Sequence, residues 1–218
     1  MTFDHTYASA IVGAQKTHKR KEADFYPTPS DATQALMDHL RLPAGTRVWE
    51  PACGDGAMSK VMLANGLDVE STDLRTNSGY GRGGVDFLAT DPLDHDPQWI
   101  ITNPPFNVAE HFVSHAQAFT PNLALLLKSQ FWHAARREKL FAAHPPAEIL
   151  ALTWRPAFLE AERGSSPLMD VIWCVWRHGA NATIFQPLSR PAGFARKRTR
   201  KIPTAYNPAT PYNPLDDL

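Results

Sequence analysis

The tetrapeptide Asn-Pro-Pro-Phe at residues 103–106 follows a short apolar run and joins an amide, two prolines and an aromatic ring. Consecutive prolines hold the backbone in an extended, rigid shape, so the neighbouring groups point in fixed directions. The Asn103 side-chain oxygen and the Pro104 carbonyl could then accept both hydrogens of a planar amine, with Phe106 stacked on a flat base. The alternative is a proline turn that only ends a strand.

A second segment, Glu-Pro-Ala-Cys-Gly-Asp-Gly at residues 50–56, also follows an apolar run. Its two glycines allow a tight turn and a close approach of a ligand to the backbone. The spacing differs from GxGxxG, which favours a cofactor without a pyrophosphate. Asp73 lies 23 residues beyond Glu50. In nucleotide-binding α/β units, an acid about 20 residues after the turn accepts hydrogen bonds from ribose hydroxyls. Asp86 and Phe87 could present a carboxylate and an aromatic face to an adenine ring, although each piece alone fits an ordinary turn.

The elements that must position these residues alternate between strands and helices. Apolar runs predict strands at 48–49, 69–72, 85–88, 99–102, 123–127, 149–154 and 171–176, with a short further one at 182–185. Helical periodicity and cap residues predict helices at 29–40, 57–65, 108–119 and 132–143. This alternation indicates a mainly parallel sheet with helices on both faces, in which ligands bind at the carboxyl ends of the strands. The candidate residues follow those strand ends.

Taken together, the segments resemble the class I S-adenosylmethionine-dependent amino-methyltransferases of DNA. Asp-Phe-Tyr-Pro-Thr-Pro at 24–29 is similar to their N-terminal cofactor motif, residues 50–56 to their glycine-rich motif, and residues 103–106 to their catalytic tetrapeptide. The likeness covers residues 24–176 and is strongest to the small adenine-N6 enzymes of phages and prophages. It implies a single Rossmann-like methyltransferase domain with a mainly parallel seven-stranded sheet, one antiparallel strand and helices on both faces.

The resemblance also implies roles for individual residues. Those expected to bind S-adenosylmethionine lie in the segments named above: Phe25, Tyr26, Pro27, Thr28, Glu50, Pro51, Cys53, Gly54, Asp73, Asp86 and Phe87. Those expected to hold and activate the target amine are Asn103, Pro104, Pro105 and Phe106. Two acceptors on the amine hydrogens localise the nitrogen lone pair for in-line attack on the methyl group. A stacked base is out of reach, so it should flip out of the duplex.

Larger enzymes of this kind carry a separate target-recognition domain. We expect none here, because no segment of the sequence is long enough to form one. The loop at 155–169 should emerge on the active-site side, with Arg155 as a DNA contact and Phe158 as a second stacking wall; the alternative is a plain surface loop. The Asn at the first tetrapeptide position favours N6-methyladenine over N4-methylcytosine, because cytosine enzymes usually carry Ser there.

Other functions fit parts of the pattern. The Asn-Pro-Pro sequence also occurs in methyltransferases that act on protein glutamine or on RNA amines, although Tyr is commoner than Phe at the fourth position of their tetrapeptide. A noncatalytic DNA-binding or partner subunit with the same fold is a third interpretation. The segment at 24–29 favours DNA, and the retained Asp73, Asp86 and Asn103 favour an enzyme.

The sequence has 22 basic and 22 acidic residues, and the basic ones gather at its ends. We expect a flexible arm at 1–23, the methyltransferase domain at 24–189, and a basic, Pro-rich tail at 190–218 that either contacts DNA phosphates or is solvated. Two cysteines without a CxxC pattern and the lack of a long apolar run predict a cytoplasmic protein with no metal and no membrane partner. A monomer and a homodimer both remain open.

Overall fold

The computed structural model describes residues 27–158 and 169–194. In these ranges the helices are α1 Ser30–Leu40, α2 Ala57–Ala64, α3 Ala109–Ala116 and α4 Glu138–Ala143. The strands are β1 Arg47–Glu50, β2 Asp68–Asp73, β3 Arg82–Gly83, β4 Trp99–Thr102, β5 Leu123–Lys128, β6 Glu148–Leu152, β7 Val171–Trp176 and β8 Ile184–Leu188. The expected arm at 1–23 and most of the expected tail at 190–218 lie outside the described residues.

The described strands form one eight-stranded sheet in the order β3-β2-β1-β4-β5-β7-β6-β8. Within it β7 runs antiparallel to both β5 and β6, and the remaining neighbours pair in parallel. The expected α/β fold, mainly parallel with one antiparallel strand, is therefore confirmed. The expected count of seven strands is wrong, because the sheet has an eighth strand, β8, which pairs in parallel with β6. Strand order reverses between β1 and β4, so a crevice forms at their carboxyl ends.

Two hydrophobic clusters cover the two faces of the sheet. Side chains alternate between the faces along a strand, so Leu126 of β5 joins α1 and α2 in one cluster, whereas Leu125 joins α3 in the other. Residues 123–127 are all buried. Burial on both faces explains why this strand is a continuous apolar run and not an alternating pattern.

Two elements differ from the sequence prediction. The strand predicted at 85–88 is a 3₁₀ turn at Phe87–Ala89, because the Asp86 carboxylate accepts a hydrogen bond from the Leu88 amide at 3.0 Å and caps that turn. The residues that pair with β2 in this region lie just before the predicted strand, in β3. The helix predicted at 132–143 begins only at Glu138, after 3₁₀ turns at Ser129–Trp132 and Ala135–Arg137.

The start of α1 is tied to the far end of the described chain. The predicted cap at Pro29-Ser30-Asp31 is wrong, since no side chain caps α1. Asp31 is buried instead, and its Oδ2 accepts hydrogen bonds from Trp154 Nε1 at 3.0 Å and from Arg190 Nε at 2.8 Å. Arg190, one residue beyond the expected domain boundary at 189, is therefore bonded to the folded part. A deletion meant to remove only the tail must begin after Arg190.

Candidate cofactor and amine site

A cavity of about 280 Å³ lies at the carboxyl ends of β1, β2 and β4. Thirteen of the residues predicted to act in binding or catalysis line it: Pro27, Thr28, Glu50, Pro51, Cys53, Gly54, Asp73, Asp86, Phe87, Asn103, Pro104, Pro105 and Phe106. The fold thus brings to one place three separate sequence segments, the end of β2 at Asp73 and the turn at Asp86 and Phe87. The roles assigned to these residues stay predictions.

Of the remaining predicted residues, Arg155 and Phe158 are described and do not line this cavity. Phe25 and Tyr26 lie outside the described residues. Phe158, expected as a second stacking wall, is only 5% exposed and belongs to the buried cluster beneath α1. Burial of an apolar ring is favourable, which explains its place in this cluster. Arg155 donates to Asp170 at 2.6 Å, which closes the stem of the 155–169 loop.

The glycine-rich turn after β1 depends on positive backbone angles. Gly54 has φ 59° and Gly56 has φ 77°, values that residues with a side chain rarely adopt. A Cβ atom at Gly56 would lie 2.4 Å from the Tyr80 ring. Cys53 donates from its amide to the Thr72 carbonyl at 2.9 Å, which joins the turn to β2. Tyr80 was missed in the sequence, where the glycines around it at 79, 81, 83 and 84 were the available signal.

Asp73, the last residue of β2, holds this turn in place with its carboxylate. Oδ2 accepts from the Gly54 amide at 2.8 Å, and Oδ1 accepts from the amide of Arg75 at 2.9 Å and from its Nε at 3.0 Å. Burial raises the pKa of Asp73, but these hydrogen bonds and the Arg75 charge outweigh burial and bring the pKa below its ordinary value. The group is therefore a carboxylate near neutral pH, suited to accept hydrogen bonds from hydroxyls.

Glu50, the last residue of β1, is buried and lacks a cationic partner among the described residues. Its Oε2 accepts from Ser59 Oγ, which also lies 2.6 Å from Ser71 Oγ. Desolvation by burial raises the pKa of Glu50 to about 8, against its ordinary value of 4.5. At neutral pH this side chain is therefore mostly a neutral acid in the free protein.

The state of Glu50 predicts a pH-dependent stability. Between pH 4.5 and about 8 the folded protein holds a proton that the unfolded chain has released. The free energy of unfolding should then fall by up to about 1.4 kcal/mol per pH unit as pH rises through this window. Glu50→Gln, which mimics the neutral acid, should lose this slope and exceed the wild type in stability above pH 8. Urea unfolding from pH 5 to pH 9 measures both curves, and parallel curves would contradict the assignment.

The Asn103 amide is oriented by a residue from before α1. Its Nδ2 donates to Thr28 Oγ1 at 3.0 Å, while its Oδ1 is buried without a hydrogen-bond partner in the described ranges. No described backbone amide donates to the Pro104 carbonyl either, whereas the Pro105 carbonyl accepts from Val108 at 3.0 Å. Two acceptors on consecutive residues are thus available beside the cavity. A buried acceptor without a partner is costly, so it marks a place where a donor would bind.

Nucleophilic thiol chemistry does not fit the cavity. Burial raises the pKa of Cys53 to about 12, so its thiol stays protonated near neutral pH. Cys174 is buried in β7, and its pKa is raised for the same reason.

The described part of the chain contains no cluster of three His, Cys, Asp or Glu side chains able to hold a metal. It also contains no helix long and apolar enough to cross a membrane.

Solved structures with the same architecture are numerous. A methyltransferase subunit of a type I restriction-modification system from Streptococcus thermophilus superposes with a TM-score of 0.57 at 12% identity, over 74% of this chain and 47% of that one. A modification subunit of a candidate type I restriction enzyme from Vibrio vulnificus gives 0.57 at 12% identity, over 78% and 48%. The chain spans about half the length of these two proteins.

A third solved structure, a candidate RNA methyltransferase from Pyrococcus horikoshii, superposes with a TM-score of 0.54 at 14% identity, over 70% of this chain and 84% of that one. The chain has the Rossmann-like methyltransferase fold. No family model and no curated protein matches the sequence. At these identities the likeness establishes the architecture, and activity has to be argued from the site.

Proposed function

We propose that the protein transfers a methyl group from S-adenosylmethionine to the exocyclic N6 amine of adenine in DNA. The observation that carries the proposal is the unpartnered, buried Oδ1 of Asn103 at the wall of a cavity that also contains Asp73 and the glycine-rich turn. One acceptor for a planar amine and one carboxylate for a ribose thus share a single crevice at the strand ends.

The cofactor half of the crevice suits a nucleoside with no phosphate. Asp73 would accept the ribose hydroxyls, and the turn at Gly54 lets the ligand approach the backbone closely. Asp86 and Phe87 would bracket the adenine ring, and Thr28 with Glu50 would face the methionine part. When bound, the cofactor supplies an electrophilic methyl group on a sulfonium sulfur.

The base half of the crevice supplies positioning. Asn103 Oδ1 and the Pro104 carbonyl would accept the two N–H groups of the amine and localise its lone pair toward the methyl group. Phe106 would stack on the ring. The new N–C bond forms as the C–S bond breaks, and the nitrogen then loses one proton, which is acidic after transfer. Holding the amine in line supplies much of the rate, and the base must be unstacked to reach this position.

RNA is the second candidate substrate. The match to the Pyrococcus horikoshii structure covers 84% of that chain, a larger share than for the restriction-system subunits. The motif at 24–29 and the Phe in the fourth tetrapeptide position favour DNA. The crevice itself fits an adenine amine from either nucleic acid.

The product identifies the reaction. We expect labelled methyl groups from S-adenosylmethionine to appear in DNA as N6-methyladenine and not as N4-methylcytosine. Incubation with DNA, with RNA of the same sequence and with total protein, followed by nucleoside and amino-acid analysis, separates the alternatives. Methylcytosine as the main product contradicts the base assignment. Label only in RNA or protein contradicts the DNA assignment while leaving methyl transfer intact.

A further inference from the structure

Lys128, the last residue of β5, holds its ammonium group beside the tetrapeptide. Its Nζ lies 4.5 Å from the centre of the Phe106 ring. Its backbone is fixed by the antiparallel pairing of Lys128 with Val171, and the next amide, at Ser129, donates to the Asp170 carbonyl at 3.0 Å. The lysine therefore lies at the carboxyl end of an interior strand and not on a loop.

The charge of Lys128 has no anionic partner in the described part of the chain. Its one contact of electrostatic character there is with the Phe106 ring. Lys60 provides a contrast, since it also lies over an aromatic ring, that of Tyr80 at 5.1 Å, but its Nζ donates to the Asp55 carbonyl at 2.9 Å. An aromatic face orders a lysine side chain at modest energy and leaves its hydrogen-bond donors available.

The cavity beside Lys128 is unfavourable for an approaching phosphate. Its lining carries four acids, of which Glu50 is mostly neutral at neutral pH and Asp55, Asp73 and Asp86 remain. Among the described lining residues the cation is Arg75, which is paired with Asp73. A nucleotide whose base stacked on Phe106 would bring its phosphate near Lys128, whose Nζ lies 4.5 Å from the centre of that ring. A cation placed at the entrance would offset the repulsion, and a lysine binds phosphate as a point charge without demanding a fixed geometry.

We propose that Lys128 binds the backbone phosphate of the target nucleotide and thereby holds the strand while its base lies against Phe106. This inference rests on the proposed function, and it assigns a substrate contact outside the sequence motifs that resemble those of the methyltransferases. On binding, the ammonium exchanges its aromatic contact for the phosphate oxygens.

The test compares Lys128→Met and Lys128→Arg with the matched control Lys60→Met. Binding of a fluorescein-labelled single-stranded DNA oligonucleotide of mixed sequence is followed by anisotropy over a range of salt concentrations. Lys128→Met should weaken binding roughly 2- to 5-fold and reduce the log–log salt slope by about 0.7, the value for one phosphate on a single strand. Lys128→Arg and Lys60→Met should keep the wild-type slope.

Methylation kinetics and cofactor binding complete the test. Lys128→Met should raise KM for DNA and leave kcat and the affinity for S-adenosylmethionine nearly unchanged. If the Met variant folds poorly, Lys128→Gln replaces it in the same measurements. An unchanged salt slope, or a loss confined to kcat, overturns the phosphate assignment and points to a contact with the base. A wild-type protein that neither binds nor methylates DNA overturns the proposed function itself. Failure of the Lys128 proposal alone would show only in the comparison of the variants with an active wild type.

Discussion

Replacing Asn103 by alanine is expected to reduce methyl transfer roughly 10²- to 10³-fold, the usual effect of removing one fixed polar contact to a reacting group. The affinity for S-adenosylmethionine should stay close to that of the wild type, because the free Oδ1 of Asn103 is assigned to the target amine and its Nδ2 is already bonded to Thr28. Single-turnover methylation measures the first quantity, and titration calorimetry measures the second.

Two further variants make the result specific. Asn107→Ala removes an amide from an exposed residue of the same loop and should leave the rate unchanged. Thr28→Val keeps the shape but removes the partner of Asn103 Nδ2, so it should give a smaller loss than Asn103→Ala. Near-wild-type turnover of Asn103→Ala would contradict the catalytic assignment.

Replacing Asp73 by alanine is expected to weaken binding of S-adenosylmethionine by about 1–3 kcal/mol, or roughly 5- to 150-fold. The carboxylate is assigned to the ribose hydroxyls, and it also holds the amides of Gly54 and Arg75 at the glycine-rich turn. Its loss removes an acceptor and leaves those donors without their partner.

The control for Asp73 is Glu70→Ala on the same strand. Glu70 lies outside the cavity lining and pairs with Arg82 at 3.4 Å and with His95 at 2.9 Å. Its removal should leave cofactor affinity unchanged, and thermal unfolding of both variants shows whether β2 is intact. An Asp73→Ala protein that is folded and binds the cofactor as the wild type does would exclude Asp73 from the ribose role.

The strands in the middle of the sheet could be predicted from the sequence. The bounds of Trp99–Thr102 and Val171–Trp176 agree with the prediction, because strands buried on both faces appear as uninterrupted apolar runs. The site could be located by the same logic, since residues after parallel strands meet at one edge. This rule predicts that Asp73 and Asn103 lie close together, and both line the cavity.

The elements that the sequence did not predict depend on contacts that no local pattern shows. Asp86 prefers to cap its own turn, which removes a strand that apolar content favoured. Phe158 is buried in the cluster beneath α1. Asp31 accepts a hydrogen bond from Arg190 and does not cap its own helix. Lys128 was within reach of sequence reasoning, because it follows the apolar run of β5 directly, and the strand-end rule applies to it as it does to Asn103.

The ion pair between Asp31 and Arg190 has a consequence for how the protein meets a polyanion. The pair joins positions 159 residues apart, next to the points where the two terminal segments attach to the fold. Each segment carries a basic cluster in its sequence, Lys16 to Lys21 in one and Arg196 to Lys201 in the other. Under the proposed function, two basic clusters attached next to one ion pair would contact DNA bivalently, so a strand bound by one would meet the other at a raised effective concentration. The buried Asp31 carboxylate would then contribute to the avidity for DNA through its bond to Arg190, which holds the two attachment points together.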